Sequence, residues 1–300
     1  MSLESDKGTV LEALSNSYEH ELRVALQLAR EAGRVILEYY DTPLHVEQKR
    51  TAVDAEPVTE ADRASNALIV SGIRFEFPED GILAEESVDT EQRLGKRRVW
   101  MIDPLDGTKG FIARGPDFAV QIGLAVNGES VLGVVYQPLP RVMYWAARGT
   151  GAWIERDGDE AVRARVSDVT ELRHMRLAAS RSHRSPRMDR VVRALGLEQE
   201  VQRNSVGVKV GLLIEQQCDL YVHLSPRTKQ WDTCAPEAIL REAGGQFTDL
   251  FGQPLVYNSP QVENRNGIVA TNGAAHTRII EQLAPLLAEF GRVREEDVRY

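Results

Sequence analysis

The chain has 300 residues, 42% of them hydrophobic and 27% charged, which suits one large domain or two ordinary ones and excludes general disorder. Its 45 acidic and 36 basic residues give a formal charge of −9. That balance repels a nucleic-acid polymer but tolerates a small anionic substrate where cations offset the field. No apolar run approaches the roughly 18–20 residues of a membrane span. Met1 to Tyr18 holds no apolar secretory core, and two cysteines, Cys218 and Cys234, are too few for a disulfide framework. No membrane partner is expected, and a cytoplasmic location is.

In chain order, Leu14 to Tyr40 reads as one helix, with Leu22, Ala25, Leu26, Ala29, Ala32, Val35 and Ile36 at helical spacing before Asp41-Thr-Pro43 stops it. A second helix begins at Thr59, where Thr59-Glu-Ala-Asp62 has the form of a capping box with Asp in place of Glu. Phe77-Pro78 ends it. The strands Gly81 to Ala84 and Arg98 to Ile102 each lead straight into acidic residues. Phe118 to Val126, Val131 to Gln137 and Val142 to Ala147, spaced by Asn127-Gly128 and Gln137-Pro138, read as an antiparallel meander. After a turn at Arg156 to Asp159, helices and strands alternate over Pro186 to Leu195, Val208 to Glu215, Leu220 to His223 and Thr233 to Ala243. Gly244-Gly245 closes the last of these. The pattern predicts an α+β half over residues 1–155, with most of the candidate ligands, and an α/β half over residues 156–300.

The densest chemistry is Asp103-Pro-Leu-Asp-Gly-Thr108. A hydrophobic strand delivers Asp103 at its end, and Pro104 and Gly107 are expected to make a tight turn that brings Asp106 beside it. Two carboxylates so close repel unless a cation sits between them. Thr108 can open a short helix whose free amides bind an anion. Alone, the string reads equally well as a surface turn. Glu85-Glu86, at a second strand end, and Asp232, before the helix from Thr233, strengthen the functional reading. Each also has a bland one, as an acidic loop and as a helix cap. Asp62 lies in a first helical turn, where a carboxylate is favoured anyway. The six histidines (20, 45, 174, 183, 223, 276) show no zinc-like clustering, so a metal here would be a hard cation on oxygen ligands. Neither Cys218 nor Cys234 has a convincing His partner for nucleophilic catalysis.

Together, Asp103 to Thr108, Glu85-Glu86 and Trp231-Asp232 resemble the signatures of the inositol monophosphatase superfamily, lithium-sensitive and magnesium-dependent phosphatases. The likeness runs from about Val58 to Gly245. It implies the layered αβαβα sandwich of that superfamily and of fructose bisphosphatases, two or three Mg2+ ions per site with Mn2+ as a substitute, and inhibition by Li+. By resemblance, Glu85, Asp103 and the Leu105 carbonyl hold one ion, and Asp103, Asp106 and Asp232 a second, with Glu86 next to the ligand set. Asp62 and Thr108 orient the attacking water, and the Gly107 and Thr108 amides grip the phosphate. The metal then acidifies the water and offsets leaving-group charge, with no covalent phosphoenzyme required.

Lys109, after the Asp-Gly-Thr motif, and Leu224 to Leu240, including Cys234-Ala-Pro236, are similar to the 3′(2′),5′-bisphosphate nucleotidase branch, which converts adenosine 3′,5′-bisphosphate to AMP. Ser180-Arg-Ser-His183 resembles that branch's nucleotide-contacting segment, and Lys209 its phosphate-contacting lysine. Lys109, Ser180, His183, Ser205 and Lys209 are the substrate-binding candidates, with Lys209 and His183 for the 5′-phosphate. Two departures stand out: Ser205 replaces a glycine of the animal enzymes, and Pro226 to Gln230 differs at its centre. Pro236 is expected in the first helical turn, where proline is tolerated. The leading reading is a bisphosphate nucleotidase. A broad inositol or sugar monophosphatase and a catalytically silent nucleotide-binding protein are the alternatives, and a homodimer is compatible with the resemblance.

Overall fold

The computed structural model describes residues 18–50, 55–181 and 185–294. The N-terminal amphipathic segment forms α1 (Glu19–Tyr40), with Leu22, Ala25, Ala29, Ala32 and Ile36 on its buried stripe. Positions 14–17 of the expected helix lie outside the described residues. A hairpin that the sequence did not suggest follows, β1 (Val46–Arg50) antiparallel to β2 (Ala55–Thr59). The strands read Val-Glu-Gln-Lys-Arg and Ala-Glu-Pro-Val-Thr, without the apolar–polar alternation that marks a half-buried strand. Helix α2 (Glu60–Glu76) starts as expected, capped by Thr59 with Asp62 at the third helical position.

The first sheet has seven strands in chain order: β3 (Gly81–Ala84), β4 (Arg98–Asp106), β5 (Ala119–Val126), β6 (Glu129–Gln137), β7 (Val142–Ala147), β8 (Gly151–Arg156) and β9 (Val162–Ala164). The pair β3–β4 is parallel and the rest are antiparallel. The expected meander is present and runs two strands further. Asn127 and Gly128 both have positive φ, 53° and 82°, as a two-residue primed hairpin turn requires.

The second sheet has the order β11-β10-β12-β14-β13, from β10 (Arg176–Ser180), β11 (Gln199–Arg203), β12 (Leu220–His223), β13 (Gln246–Thr248) and β14 (Ile268–Thr271). Its helices are α4 (Pro186–Leu195), α5 (Val206–Ile214), α6 (Gln230–Glu242) and α7 (His276–Glu289), while the short α3 (Thr108–Ile112) belongs to the first half.

Three apolar cores define five layers. Residues of α1 and α2 pack on one face of the seven-stranded sheet with Trp100, Ile122 and Val134. The opposite face, through Val135 and Tyr144, meets α5 and α6, which also cover Ala178, Tyr221 and Ala270 of the second sheet. Leu177, Leu220 and Val269 bury the far face of that sheet against α4 and α7. This is the expected αβαβα sandwich.

Two glycines let α6 lie close to the first sheet. Gly123 and Gly133 pair across β5 and β6. A Cβ at Gly123 would sit 2.8 Å from the Ala235 amide, and one at Gly133 only 2.1 Å from the Ala235 carbonyl. Any larger residue would push α6, and Asp232 with it, off the sheet. The helix also starts three residues earlier than expected, capped by Lys229. Pro236 therefore lies inside it rather than in its first turn, and offers no N–H to the Asp232 carbonyl.

Candidate active site

Asp103 and Asp106 share one side of the chain because β4 bulges. Asp103 pairs with Gln121 and Asp106 with Ala119, so β4 spends three residues where β5 spends two. Without the extra residue, positions three apart on a strand would face opposite ways. The expected tight turn is thus an extended, bulged strand end, and the turn itself falls at Gly107, with φ +96°. A Cβ there would meet the Asp117 carbonyl at 2.5 Å, so only glycine fits. Thr108 opens α3 as expected.

Fixed donors orient each acid. Asp103 Oδ1 accepts from the Leu105 amide at 3.0 Å. Asp106 Oδ2 accepts from Gln121 Nε2 at 2.6 Å, Ser205 Oγ at 2.5 Å and the Gly207 amide at 3.1 Å. Asp62 and Asp232 sit at the third position of α2 and α6 and reach back to their cap amides, Thr59 at 2.8 Å and Lys229 at 2.7 Å. Capping and function are thus compatible at both helix starts. The Thr59 hydroxyl adds a second donor to Asp62 Oδ2, while Thr108 Oγ1 stands 3.1 Å from both Asp62 Oδ1 and the Leu105 carbonyl. Lys49, from the unforeseen hairpin, donates to the Glu85 carbonyl at 2.6 Å and to Glu86 at 3.3 Å.

Glu85, Asp103, Leu105, Asp106, Gly107, Thr108, Lys109, Ser180, Lys209 and Asp232 all line one cleft. Asp62 is buried behind Thr108. Ser205 is placed differently from the expectation. It is fully buried, caps α5 by accepting from Val208 and turns its hydroxyl to Asp106, so it supports a carboxylate instead of facing substrate. His183 lies outside the described residues. Lys209 is buried, with its ammonium 3.2 Å from the Asn204 carbonyl and 4.6 Å above the Tyr221 ring. Burial pulls its pKa down to about 8 against the pull of Asp106, Asp232 and Asp117. Asn204, Tyr221, His223, Arg227 and Lys229 also line the cleft. Only the segment holding Arg227 and Lys229 drew notice in the sequence, as a departure from the resembled branch.

The electrostatics describe an acidic site in need of a cation. Burial, then Glu85, Asp106 and Asp232 in turn, push the Asp103 carboxyl well above the usual range. Burial, Asp232 and Glu86 do the same to Glu85. Burial also raises Asp106, opposed by Ser205 and Lys209. Among the described residues, no three Asp, Glu, His or Cys side chains close around a single point. An all-oxygen donor set of four carboxylates and a carbonyl fits a hard divalent cation, whose charge would relieve that repulsion. Thiol chemistry does not fit. Cys218 and Cys234 are buried and free, and burial pushes the Cys218 thiol up to about 12.

Comparison with known proteins finds relatives along most of the chain. The model of the inositol monophosphatase family matches residues 17–287. The 3′(2′),5′-bisphosphate nucleotidase CysQ of Salmonella typhimurium is 40% identical over 239 residues, 79% of this chain and 93% of that relative. Among solved structures, the Thermotoga maritima IMPase superposes with a TM-score of 0.76 at 26% identity, covering 91% of this chain and all of that one (100%). CysQ from Bacteroides thetaiotaomicron superposes with a TM-score of 0.71 at 30% identity, covering 85% and 97%.

Proposed function

The chain belongs to the inositol monophosphatase family, and within it we propose a magnesium-dependent phosphomonoesterase that removes the 3′-phosphate of adenosine 3′,5′-bisphosphate to leave AMP. The observation that carries this reading is the convergence of Glu85, Asp103, Asp106 and Asp232 on one cleft whose other walls hold Lys109, Lys209, Arg227 and Lys229. Acids to hold cations beside bases to hold anions suit a substrate with more than one phosphate. The 40% identity to the CysQ nucleotidase supports that branch over an inositol phosphatase.

Glu85, Asp103, the Leu105 carbonyl, Asp106 and Asp232 are the residues that would hold Mg2+, or Mn2+ in its place. When bound, such ions acidify the attacking water and stabilise charge on the phosphoryl oxygens. The chain's own residues do the positioning. Asp62, anchored through Oδ2, presents Oδ1 to the Thr108 hydroxyl, and Thr108, once it donates there, has lone pairs to accept from a water. The Gly107 and Thr108 amides, at the start of α3, have no carbonyl behind them within the helix and are the donors that would receive phosphate oxygens. Lys109 and Lys209 add positive charge on either side.

Steady-state phosphate release in Mg2+ from adenosine 3′,5′-bisphosphate and from inositol 1-phosphate tests the reading. The expected result is a kcat/KM at least about tenfold higher for the bisphosphate, the size of one charge-assisted hydrogen bond. Preference for the inositol ester would overturn it.

A further inference from the structure

Two of the cleft acids arrive from distant parts of the chain, Glu85 just after β3 and Asp232 in the first turn of α6. A third segment, from the connection between β13 and β14, touches the supports of both. Tyr257 is buried in an apolar cluster with Leu83 and Cys234, each two residues from its acid, and its hydroxyl donates to Glu237 further along α6. The next residue, Asn258, has a left-handed backbone, φ 61°, which asparagine tolerates better than most side chains. Its side chain bonds to one support and its amide to the other. Nδ2 donates to the carbonyls of Arg93 at 3.0 Å and Lys96 at 3.1 Å, while Oδ1 accepts from Arg93 Nη1 at 3.0 Å. The Asn258 amide donates to Gln230 Oε1 at 2.7 Å.

Both partners are buried beside an acid. Gln230 stands two residues before Asp232, and its Nε2 donates to Ser259 Oγ at 2.9 Å and the Gln261 carbonyl at 2.7 Å. Arg93 pairs with Asp89 at 2.7 Å and donates to the Ser259 carbonyl at 3.1 Å. It backs onto the strand that delivers Glu85, since a Cβ on Gly81 of β3 would lie 3.0 Å from the Arg93 Cβ. Asn264 ties down the far end of the segment, with Nδ2 donating to the Lys229 carbonyl at 3.0 Å and its amide to the Thr228 carbonyl at 2.8 Å. Buried polar groups are costly to leave unpaired, so these bonds hold the two supports at one spacing.

We propose that residues 257–264, with Asn258 as the central link, form a brace that sets the separation of Glu85 and Asp232 for divalent cations. The proposal rests on the metal-dependent phosphatase reading. Acids carried on separate segments bind an ion more tightly when their supports are already spaced for it. Asn258 is a positioning residue. It acts on Asp232 through Gln230 and on Glu85 through Arg93.

Binding of Mn2+ to the whole protein, followed without turnover by loss of the free ion's electron paramagnetic resonance signal, tests the brace. Asn258→Gly keeps the left-handed backbone and the amide, and removes only the side-chain link. Its Kd for Mn2+ is expected to rise about tenfold, the lower end of what a group supporting a metal ligand contributes. Its kcat should return to near the wild-type value in saturating Mg2+, because the acids themselves are unchanged. Ser259→Ala loses one hydrogen bond to Gln230 and should raise the Kd about threefold, and it carries the test if Asn258→Gly does not fold. Asp219→Asn is the control, since it gives up stability outside the cleft and should leave the Kd unchanged. Wild-type protein that bound no Mn2+ would end the metal-dependent reading and the brace with it. If wild type binds Mn2+ and both brace variants bind it equally well, only the brace falls. It falls too if Asp219→Asn weakens binding as much as Asn258→Gly, because lost stability would then be the cause.

Discussion

Asp219 and Asp103 are both buried aspartates in sheet regions, and their surroundings could hardly differ more. Asp219 accepts from Ser167 Oγ at 2.5 Å, from the Arg176 amide at 2.7 Å and from Arg176 Nε and Nη2 at 3.0 Å. These donors hold its carboxyl below the usual range in spite of burial. Asp103 accepts one backbone amide and faces Glu85, Asp106 and Asp232, which push it the other way. Asp219, supplied with donors that include the Arg176 guanidinium, belongs to the architecture. Asp103, starved of donors and ringed by other acids, is a charge that a bound cation would relieve. The contrast separates these two aspartates without reference to any relative.

Replacing Asp103 breaks the comparison most severely. On the proposed function, Asp103→Asn is expected to lower kcat by on the order of 10³-fold or more, because it removes one of the charges that would hold a metal ion. Stability should move in the opposite direction. The folded carboxyl ionises at higher pH than the unfolded one, so its cost is absent in acid and grows as pH rises above the ordinary carboxylate range. In chelator at pH 8 the Asn variant should melt higher than wild type, by about 2–4 °C for each kcal/mol relieved. The gap should close at pH 4. Added Mg2+ should raise the wild-type midpoint more than that of the variant, since only the full acid set binds the ion tightly. Equal melting in chelator at both pH values would refute the account of repulsion.

Asp62 lies between the two extremes. Burial raises it to about 6, while hydrogen bonds from Thr59 and Thr108 oppose that rise. As the group that receives the Thr108 hydroxyl it must be ionised. Wild-type activity should therefore fall as pH drops through about 6 or somewhat below, since cations nearby favour the ionised form. Asp62→Asn is expected to lose about 100-fold in kcat, with KM little changed, and to lack that acid limb. A variant that kept the same limb would assign it to another group.

Much of the reacting end could be read from the sequence because its residues travel in short, contiguous strings. Asp103 to Thr108 sits on one strand end, and the capping box at Thr59 is local geometry written into four residues. What the sequence hid depends on contacts between distant segments. Lys49 on a polar hairpin has no periodicity to announce it. The β4 bulge shows only once Gln121 and Ala119 are paired against it. Ser205 is a substrate-binding candidate only by resemblance, at a place where the animal enzymes carry glycine, whereas its hydroxyl points back to Asp106. Arg187, Arg227 and Arg292 stand in three separate segments with no shared pattern until the fold brings them to one cavity. Gly123 and Gly133, which seat α6, are silent in sequence for the same reason.

Asp219→Asn sharpens the comparison from the structural side, with the smallest effect. Asn keeps the shape but leaves Arg176 without its charged partner and one donor, and the expected cost is about 1–3 kcal/mol of folding stability. Activity per folded molecule should stay within about twofold in Mg2+, because Asp219 lies outside the cleft. The pH dependence follows from the direction of its shift. A carboxyl held below the usual range stabilises the fold fully above the unfolded value of 3.8, and the benefit is lost as pH falls through the lower folded value. Urea denaturation should therefore show wild type ahead of Asp219→Asn at pH 7 and level with it only in strong acid. Asp103→Asn should be ahead of wild type at pH 8 in chelator, the opposite sign from a chemically identical change. If both variants shifted stability in the same direction at neutral pH, donor supply would not be what distinguishes these two aspartates.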